Sequence, residues 1–262
     1  MAILTVLASC KKQNIDTSLV NLPVVEAYLI PGQLVTVKLY KQKQLTDTAT
    51  YGSPITGQQV YISDGSKNVL LTESSSGTYT YNDQSFLVTG KTYTLQFNYL
   101  SYAVSAQTVI PSKPTNFALN DTSIYISTSS RTAASPIDTF ANLTWSNPGL
   151  LNHIIVFKNL TGKNLPLGNF SPTNSSVQIN ANQTAAYYIT ENTFHYYAYY
   201  KITLYTVNQE YINFLTSNTN STSSGSTSQT LTNTFTNIVN GYGIFTGMQA
   251  ADNILYINVH PS

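Results

Sequence analysis

The sequence predicts an all-β protein built from two tandem β-sandwiches, and three observations support this. Charged residues make up only 9% of the 262 residues, while 20 tyrosines and many threonines, which favour pleated strands, are present. Segments that alternate apolar and polar residues recur along most of the chain, as half-buried strands do. Turn residues separate these segments at short intervals, a spacing that is typical of sandwich domains.

The first sandwich is predicted over residues 22–111. Pro31-Gly32 is a tight-turn pair, and Asp64-Gly65-Ser66 is the signal of a hairpin between two strands. Pro111-Ser112-Lys113-Pro114 predicts a linker to the next domain. The predicted strands cover residues 22–30, 34–40, 58–63, 67–73, 91–97 and 102–110, and a further strand opens at Gly77-Thr78-Tyr79.

The second sandwich is predicted over residues 112–262. Strands at 143–145 and 153–158 are expected to pair across the Asn147-Pro148-Gly149 turn. A short helix is expected at 209–216. A mobile loop is expected at 217–231, because a run of nearly only Asn, Ser, Thr and Gly buries little apolar area. The other predicted strands cover residues 183–189, 194–207, 233–239 and 254–259.

Cys10 is the only cysteine of the chain and ends an apolar segment. A disulfide within the chain is therefore excluded, and a catalytic thiol would need a histidine partner. The run Leu7-Ala8-Ser9-Cys10 resembles a bacterial lipobox, which is cut before the cysteine, and its small residues give a peptidase access to the backbone. We expect residues 1–9 to be a cleaved signal peptide remnant, and residues 10–21 to form a flexible tether lipidated at Cys10. The alternative is an N-terminal strand with a buried cysteine.

The residue that follows Cys10 bears on localisation. Acyl chains on Cys10 would bind the protein to a membrane, at roughly 0.8 kcal/mol per buried CH₂. The residue that follows Cys10 is Lys11 and not an aspartate. By resemblance to the sorting rule of Gram-negative bacteria, this predicts that the protein is sent to the outer membrane. The surface-export signals of Bacteroidota favour acidic residues after the cysteine, and Asp16 is the one acidic residue among residues 11–16. We expect a lipid-anchored protein of the outer membrane at the cell surface. Anchoring on the inner side of that membrane stays open as the alternative.

Composition and motifs argue against several classes of function. The net charge is +1 without a concentrated basic face, so nucleic acid is not an expected partner. No run of eighteen apolar residues that could span a membrane occurs in the sequence. His153, His195 and His260 are scattered and lack the spacing of a zinc site. Neither a nucleophile elbow nor a phosphate-binding loop occurs. We expect no enzyme, no cofactor and no metal.

Tyrosines supply the best candidate for binding. Eight of them fall within 25 residues, and on the predicted strand 194–207 the side chains of Tyr197, Tyr199 and Tyr205 share the face that is turned away from the core. A stack of rings there could hold sugars or a protein partner. The alternative is ordinary cross-strand pairing. His195 is expected to face solvent, with pH sensing as the alternative, and Trp145 is expected to pack in the core, with a ligand contact as the alternative.

Five segments in fixed order resemble one known family. PVVEAYLIPGQLVTVKL, SPITGQQVYISDG, GTYTY, GKTYTLQF and TNIVNGYGIF are similar to the family of Bacteroidota outer-membrane lipoproteins catalogued as domain of unknown function 4249. The resemblance implies an immunoglobulin- or transthyretin-like sandwich followed by a fibronectin type III-like one. It implies no catalytic residues. Genes of this family often lie beside those of TonB-dependent transporters.

Together these observations predict a non-enzymatic, lipid-anchored protein that accompanies a TonB-dependent barrel in nutrient capture, with a ligand that the sequence does not identify. The alternative is an adhesive or structural spacer at the cell surface. Asp47-Thr48-Ala49 also matches the short O-glycosylation signal of Bacteroidota, which makes Thr48 a candidate glycosylation site.

Overall fold

The computed structural model is nearly all strand, with one helix, α1 (Gln209–Asn220), in the part of the chain that it describes. That part comprises residues 22–43, 51–126, 139–162, 166, 176–190, 193–194, 196–220 and 235–259. The strands are β1 (Pro23–Leu29), β2 (Val35–Lys41), β3 (Tyr61–Ser63), β4 (Asn68–Leu70), β5 (Thr72–Ser75), β6 (Thr78–Tyr81), β7 (Thr92–Tyr99), β8 (Tyr102–Val109), β9 (Thr115–Leu119), β10 (Ser123–Ile126), β11 (Thr139–Ser146), β12 (Asn152–Asn159), β13 (Ser176–Asn182), β14 (Ala186–Thr190), β15 (Tyr199–Val207) and β16 (Tyr242–Val259).

The first sandwich packs a four-stranded sheet, in the order β4-β3-β7-β8, on the β1-β2-β6-β5 part of a nine-stranded sheet. Alternation decides which side chains enter its core. Val25, Ala27 and Leu29 of β1 are buried, while the residues between them are only half-buried. Tyr93 is fully buried too, because its hydroxyl donates a hydrogen bond of 2.7 Å to the Phe86 carbonyl.

Both predicted turns of the first sandwich are confirmed. Gly32 has φ +83°, and the Gln33 N–H donates to the Ile30 carbonyl across the turn between β1 and β2. Asp64 closes the hairpin between β3 and β4, because its carboxylate accepts the N–H groups of Ser66 and Lys67. A bond of 2.8 Å to the Lys91 ammonium, assisted by those N–H groups, holds the pKa of Asp64 well below its usual range.

The second sandwich packs the three-stranded sheet β14-β11-β9 on the β13-β12-β15-β16 part of the large sheet. The predicted pairing of 143–145 with 153–158 is wrong, since β11 and β12 lie in opposite sheets. Asn147 explains the difference. Its side chain accepts the Leu151 N–H at 2.8 Å and donates to the carbonyls of Leu151 and Gln183. The hydrogen bonds of the Asn147 side chain therefore hold this connection, whereas a hairpin would be held by backbone pairing between its two strands.

Strand β16 belongs to both sandwiches. Its residues 242–247 pair in parallel with β1, and residues 248–256 pair in antiparallel with β15. Phe245 is fully buried in the first core, together with Ile238. The domain boundaries predicted at 22–111 and 112–262 are therefore wrong, because residues 237–247 complete the first sandwich. The predicted strand 254–259 is confirmed as the end of β16, which begins earlier, at Tyr242. The described residues of the predicted strand 233–239 form no strand, and Val239 makes only an isolated bridge with Ser105.

A network of hydrogen bonds joins the sandwiches where β16 passes from one to the other. The buried Thr108 hydroxyl donates to the Glu210 carboxylate at 2.8 Å and accepts the Gly247 N–H at 2.9 Å. Thr246 donates to the same carboxylate at 3.2 Å, and the Asn208 amide donates to the Val109 carbonyl at 2.7 Å. The start of α1 is thereby bonded to both β8 and β16.

The predicted strand 194–207 and loop 217–231 are also corrected in part. The strand begins at Tyr199, because the Tyr200 hydroxyl donates to the Tyr196 carbonyl at 2.9 Å and closes a bend before it. The predicted helix is confirmed, but it continues to Asn220 and so includes the first residues of the expected loop. Residues 221–231 lie outside the described residues. The helical part of the described chain contains no segment long and apolar enough to cross a bilayer.

Candidate ligand-binding site

A cavity of about 220 Å³ opens on the outer face of the large sheet, beside the junction of the two sandwiches. Its lining consists of four aliphatic or thioether side chains, three tyrosines and one amide. Its lining residues come from β1 and the residue that follows it, β12, β13, β15, β16 and α1, and they are Tyr28, Ile30, Ile154, Val156, Gln178, Tyr205, Tyr211 and Met248.

Strand alternation and helix packing bring these residues together. Tyr28 and Ile30 point away from the first core, because their neighbour Leu29 points into it. Helix α1 lies over this face and contributes Tyr211, which forms a small apolar cluster with Ile154, Met248 and their neighbours. The rings of Tyr28 and Tyr211 meet edge to face, with their centroids 6.0 Å apart.

The three tyrosine hydroxyls of the cavity are protonated at neutral pH, as an ordinary tyrosine is, and burial raises their pKa values further. It raises the pKa of Tyr28, and the Glu26 carboxylate adds to that effect. Burial also raises the pKa of Tyr205, with a further contribution from Asp252. The pKa of Tyr211 is raised by burial as well, although a hydrogen bond with the Gln178 side chain opposes the shift. At neutral pH these three side chains therefore carry no charge and offer O–H donors to a ligand.

The size and polarity of the cavity define what it can hold. An engineered apolar cavity of about 150 Å³ accepts benzene, so the present volume of about 220 Å³ is sufficient for one substituted ring or a branched apolar group. The hydroxyls of Tyr28, Tyr205 and Tyr211 can donate hydrogen bonds to an oxygen or nitrogen acceptor at the edge of that group.

The three tyrosines predicted as one binding face occupy three different environments. Tyr205 lines the cavity. Tyr199 is 44% exposed and stacks on Tyr256, with the ring centroids 3.9 Å apart. The prediction for Tyr197 is wrong. It is 8% exposed in the second core, and its hydroxyl donates to the Ile126 carbonyl. The bend before β15 is the physical reason, since it ends the strict alternation of faces there.

Along β15 the two outward tyrosines are about 20 Å apart, at about 3.3 Å per residue. An ion pair lies between them. The Lys201 ammonium is 2.9 Å from the Asp252 carboxylate, and the Thr203 hydroxyl donates to that carboxylate at 2.7 Å. Both charged side chains are substantially exposed, so the pair adds little to stability. Tyr199 and Tyr205 are thus separate surface features of one sheet face.

The packing interpretation of Trp145 is confirmed, since its side chain is 4% exposed in the second core. Its indole is tilted against the buried His153 ring, at 5.5 Å between centroids. Burial lowers the pKa of His153, which favours the neutral imidazole. Cys10, Thr48 and His195, which were singled out from the sequence, lie outside the described residues. Among the described residues, no three His, Cys, Asp or Glu side chains are grouped to hold a metal ion.

Sequence analysis missed Tyr28, Tyr211, Ile154 and Met248 as site residues. Tyr28 did carry a signal, because Tyr28 and Ile30 are apolar on the strand face opposite Leu29, where solvent would favour polar residues. The other three come from distant parts of the chain. They meet Tyr28 only because β16 aligns the two sandwiches.

Comparison with known proteins identifies a family and solved structures with a similar fold. A family model described as domain of unknown function (DUF4249) matches residues 12–254. None of the curated proteins matches the chain. A crystal structure of the FN1–FN3 domains of chicken CNTN1 aligns with 14% sequence identity and a TM-score of 0.29, over 72% of this chain. The chain spans only 62% of the length of that structure.

Proposed function

The chain belongs to the family described as domain of unknown function 4249, and from the geometry of its own site we propose a binding function. The protein is a non-enzymatic, lipid-anchored protein of the outer membrane, exposed at the cell surface. It accompanies a TonB-dependent transporter and captures a nutrient. The cavity at the junction of the sandwiches binds a ring-sized, mainly apolar part of that nutrient.

The cavity is the observation that carries this proposal. Tyr28, Tyr205 and Tyr211 turn half-buried rings towards one opening, on a sheet face where a solvent-exposed strand would ordinarily carry polar side chains. An apolar pocket with a few convergent polar groups is the usual form of a small-molecule site. Each hydroxyl can both donate a hydrogen bond to a ligand and accept one from it.

The anchoring part of the proposal depends on the lipobox-like run that ends at Cys10. From Cys10 to Leu22, where the described structure begins, there are 12 residue steps. A chain of that length reaches at most about 40 Å, so the first sandwich would remain near the membrane surface. A protein held there by acyl chains is well placed to deliver a ligand to a barrel in the same membrane.

The alternative, an adhesive or structural spacer, has its own support. Strand β16 runs without interruption through both sandwiches over 18 residues. It spans about 60 Å at 3.3 Å per residue, which suits a stiff extension from a surface. This alternative needs no ligand in the cavity.

The pocket proposal predicts selective loss of binding in two variants. Tyr205→Ala removes a wall of the cavity, and Val156→Phe fills it; both are expected to weaken the binding of 4-fluorophenol by about tenfold or more. Fluorine NMR of this ring-sized probe measures the affinity. Tyr199→Ala is the matched control, because Tyr199 lies on the same strand and face but outside the cavity. Unchanged affinity in both cavity variants, or an equal loss in Tyr199→Ala, contradicts the proposal.

A further inference from the structure

One end of the first sandwich exposes apolar side chains to solvent. Leu100 is 69% exposed in the hairpin between β7 and β8, Tyr102 is 37% exposed at the start of β8, and Val239 is 58% exposed. Val239 lies alongside the same strand, because its backbone pairs in an isolated bridge with Ser105, three residues after Tyr102. We call Leu100, Tyr102 and Val239 the apolar tip.

Leu100 is also in an unfavourable backbone conformation. Its φ of +55° lies in the left-handed region, which leucine rarely adopts and which Asn or Gly fills readily in a two-residue hairpin. Strain of this kind is concentrated at functional positions. A leucine that is both strained and exposed contributes nothing to the fold that asparagine would not, which points to a contact outside the fold.

The N-terminal segment enters the structure at the same end. The Asn240 amide donates to the Ala103 carbonyl at 2.8 Å, next to Tyr102. The following residue, Gly241, lies against the Pro23 carbonyl, at the beginning of β1. A tether that ends in an acylated Cys10 would therefore hold the apolar tip towards the lipid, with the cavity at the opposite end of β1.

Lys41 places an exposed positive charge at this end, where it is paired with Pro23 across β1 and β2. A carboxylate near this end, that of Glu73, accepts the N–H groups of Gly57 and Gly77. Lysines beside exposed apolar and aromatic side chains are the usual combination at an anionic membrane interface.

We propose that the apolar tip docks on the anionic lipid bilayer, with Leu100 and Val239 entering the headgroup layer and Lys41 lying over phosphates. This inference rests on the proposed anchoring at Cys10. Docking fixes the orientation of the protein, because the tether alone would let it rotate. The long strand β16 then points away from the membrane and carries the cavity about 20 Å above the tip, the length of residues 242–247.

Hydrogen exchange on membrane-coupled protein tests the docking. The Cys10 thiol of the full chain is coupled to a maleimide lipid in phosphatidylcholine vesicles that contain phosphatidylglycerol. Exchange is expected to slow at residues 99–105 and 237–242 and to stay unchanged at 147–151. Leu100→Asn, which suits the left-handed conformation and keeps the hairpin, is expected to lose this slowing, and Val239→Thr to reduce it.

Leu150 provides a matched control, since it too is exposed and has φ +49°, but it lies in the second sandwich. Leu150→Asn should keep the slowing. Three results overturn the proposal: no slowing in the coupled wild type, equal slowing at 147–151, or exchange at residues 99–105 that is equally slow in the uncoupled protein without vesicles, which would mean that residues 1–9 or a second copy cover the tip. Chemical coupling bypasses natural lipidation, so this test can fail while anchoring stands. An unacylated Cys10 in protein from the native host would contradict the proposed anchoring and would leave the docking test unaffected.

Discussion

A fragment that contains residues 20–111 is expected to lack a cooperative unfolding transition, although its boundaries enclose every strand that the sequence predicts for the first sandwich. The fragment lacks residues 242–247, the parallel partner of β1. It also lacks Phe245 and Ile238, which are 0% and 5% exposed in the first core. Burying two such side chains contributes about 3–6 kcal/mol, a large share of the stability of an ordinary domain.

The missing strand should restore the fold. A fusion that joins residues 235–248 to the end of the fragment through a flexible linker is expected to unfold cooperatively in urea, as followed by circular dichroism. The same fusion with Phe245→Asp serves as the control and should stay unfolded, because it would bury an unpaired charge. Cooperative unfolding of the unfused fragment at the stability of the fusion would show that the first sandwich does not need β16.

Gly247→Ala is expected to destabilise the full chain by about 3 kcal/mol, the upper range for overpacking a tight site. A Cβ at Gly247 would overlap the Val109 carbonyl oxygen and press on Ile110. Both are backbone groups, so relief would require β8 and β16 to separate and would break the bond between the Gly247 N–H and Thr108. Urea titration of the two proteins measures the difference in the free energy of unfolding.

Gly149→Ala is the matched control for this substitution. The nearest atom to a Cβ at Gly149 is Leu151 Cγ, at an ordinary contact distance of 3.6 Å. The expected change is under about 0.5 kcal/mol. Equal effects of the two substitutions would mean that close approach at the junction does not determine the stability of the chain.

Local patterns predicted the local elements. The alternation of residues 34–40, the Asp64-Gly65-Ser66 hairpin and the helix after residue 208 all depend on neighbours in sequence, and all three are confirmed. The strand predicted from Phe194 failed because a side chain overrides the pattern there. The Tyr200 hydroxyl bonds to the backbone of Tyr196, and the resulting bend buries Tyr196 and Tyr197 together.

The pairing of β16 with β1 could not be predicted from the local sequence pattern. The Asn240–Gly243 turn predicted a break between strands, but nothing local shows that the next residues pair with β1, more than 200 positions earlier. Gly243 has φ +99°, and a Cβ there would overlap the Val25 carbonyl, so this glycine is required by a partner that only the fold supplies. The cavity depends on the same pairing, which is why only Tyr205 of its tyrosines was predicted.

Isolation of the native protein from outer membranes in mild detergent tests the proposed function most directly. We predict stoichiometric copurification with a TonB-dependent barrel, and a mature N-terminus at an acylated Cys10, which mass spectrometry of the same sample would show. Cys10→Ala should release the protein from the membrane fraction and abolish copurification. A native protein that keeps Met1, or an acylated protein that is recovered without any barrel, would contradict the proposal, and the second result would favour the adhesive or structural spacer.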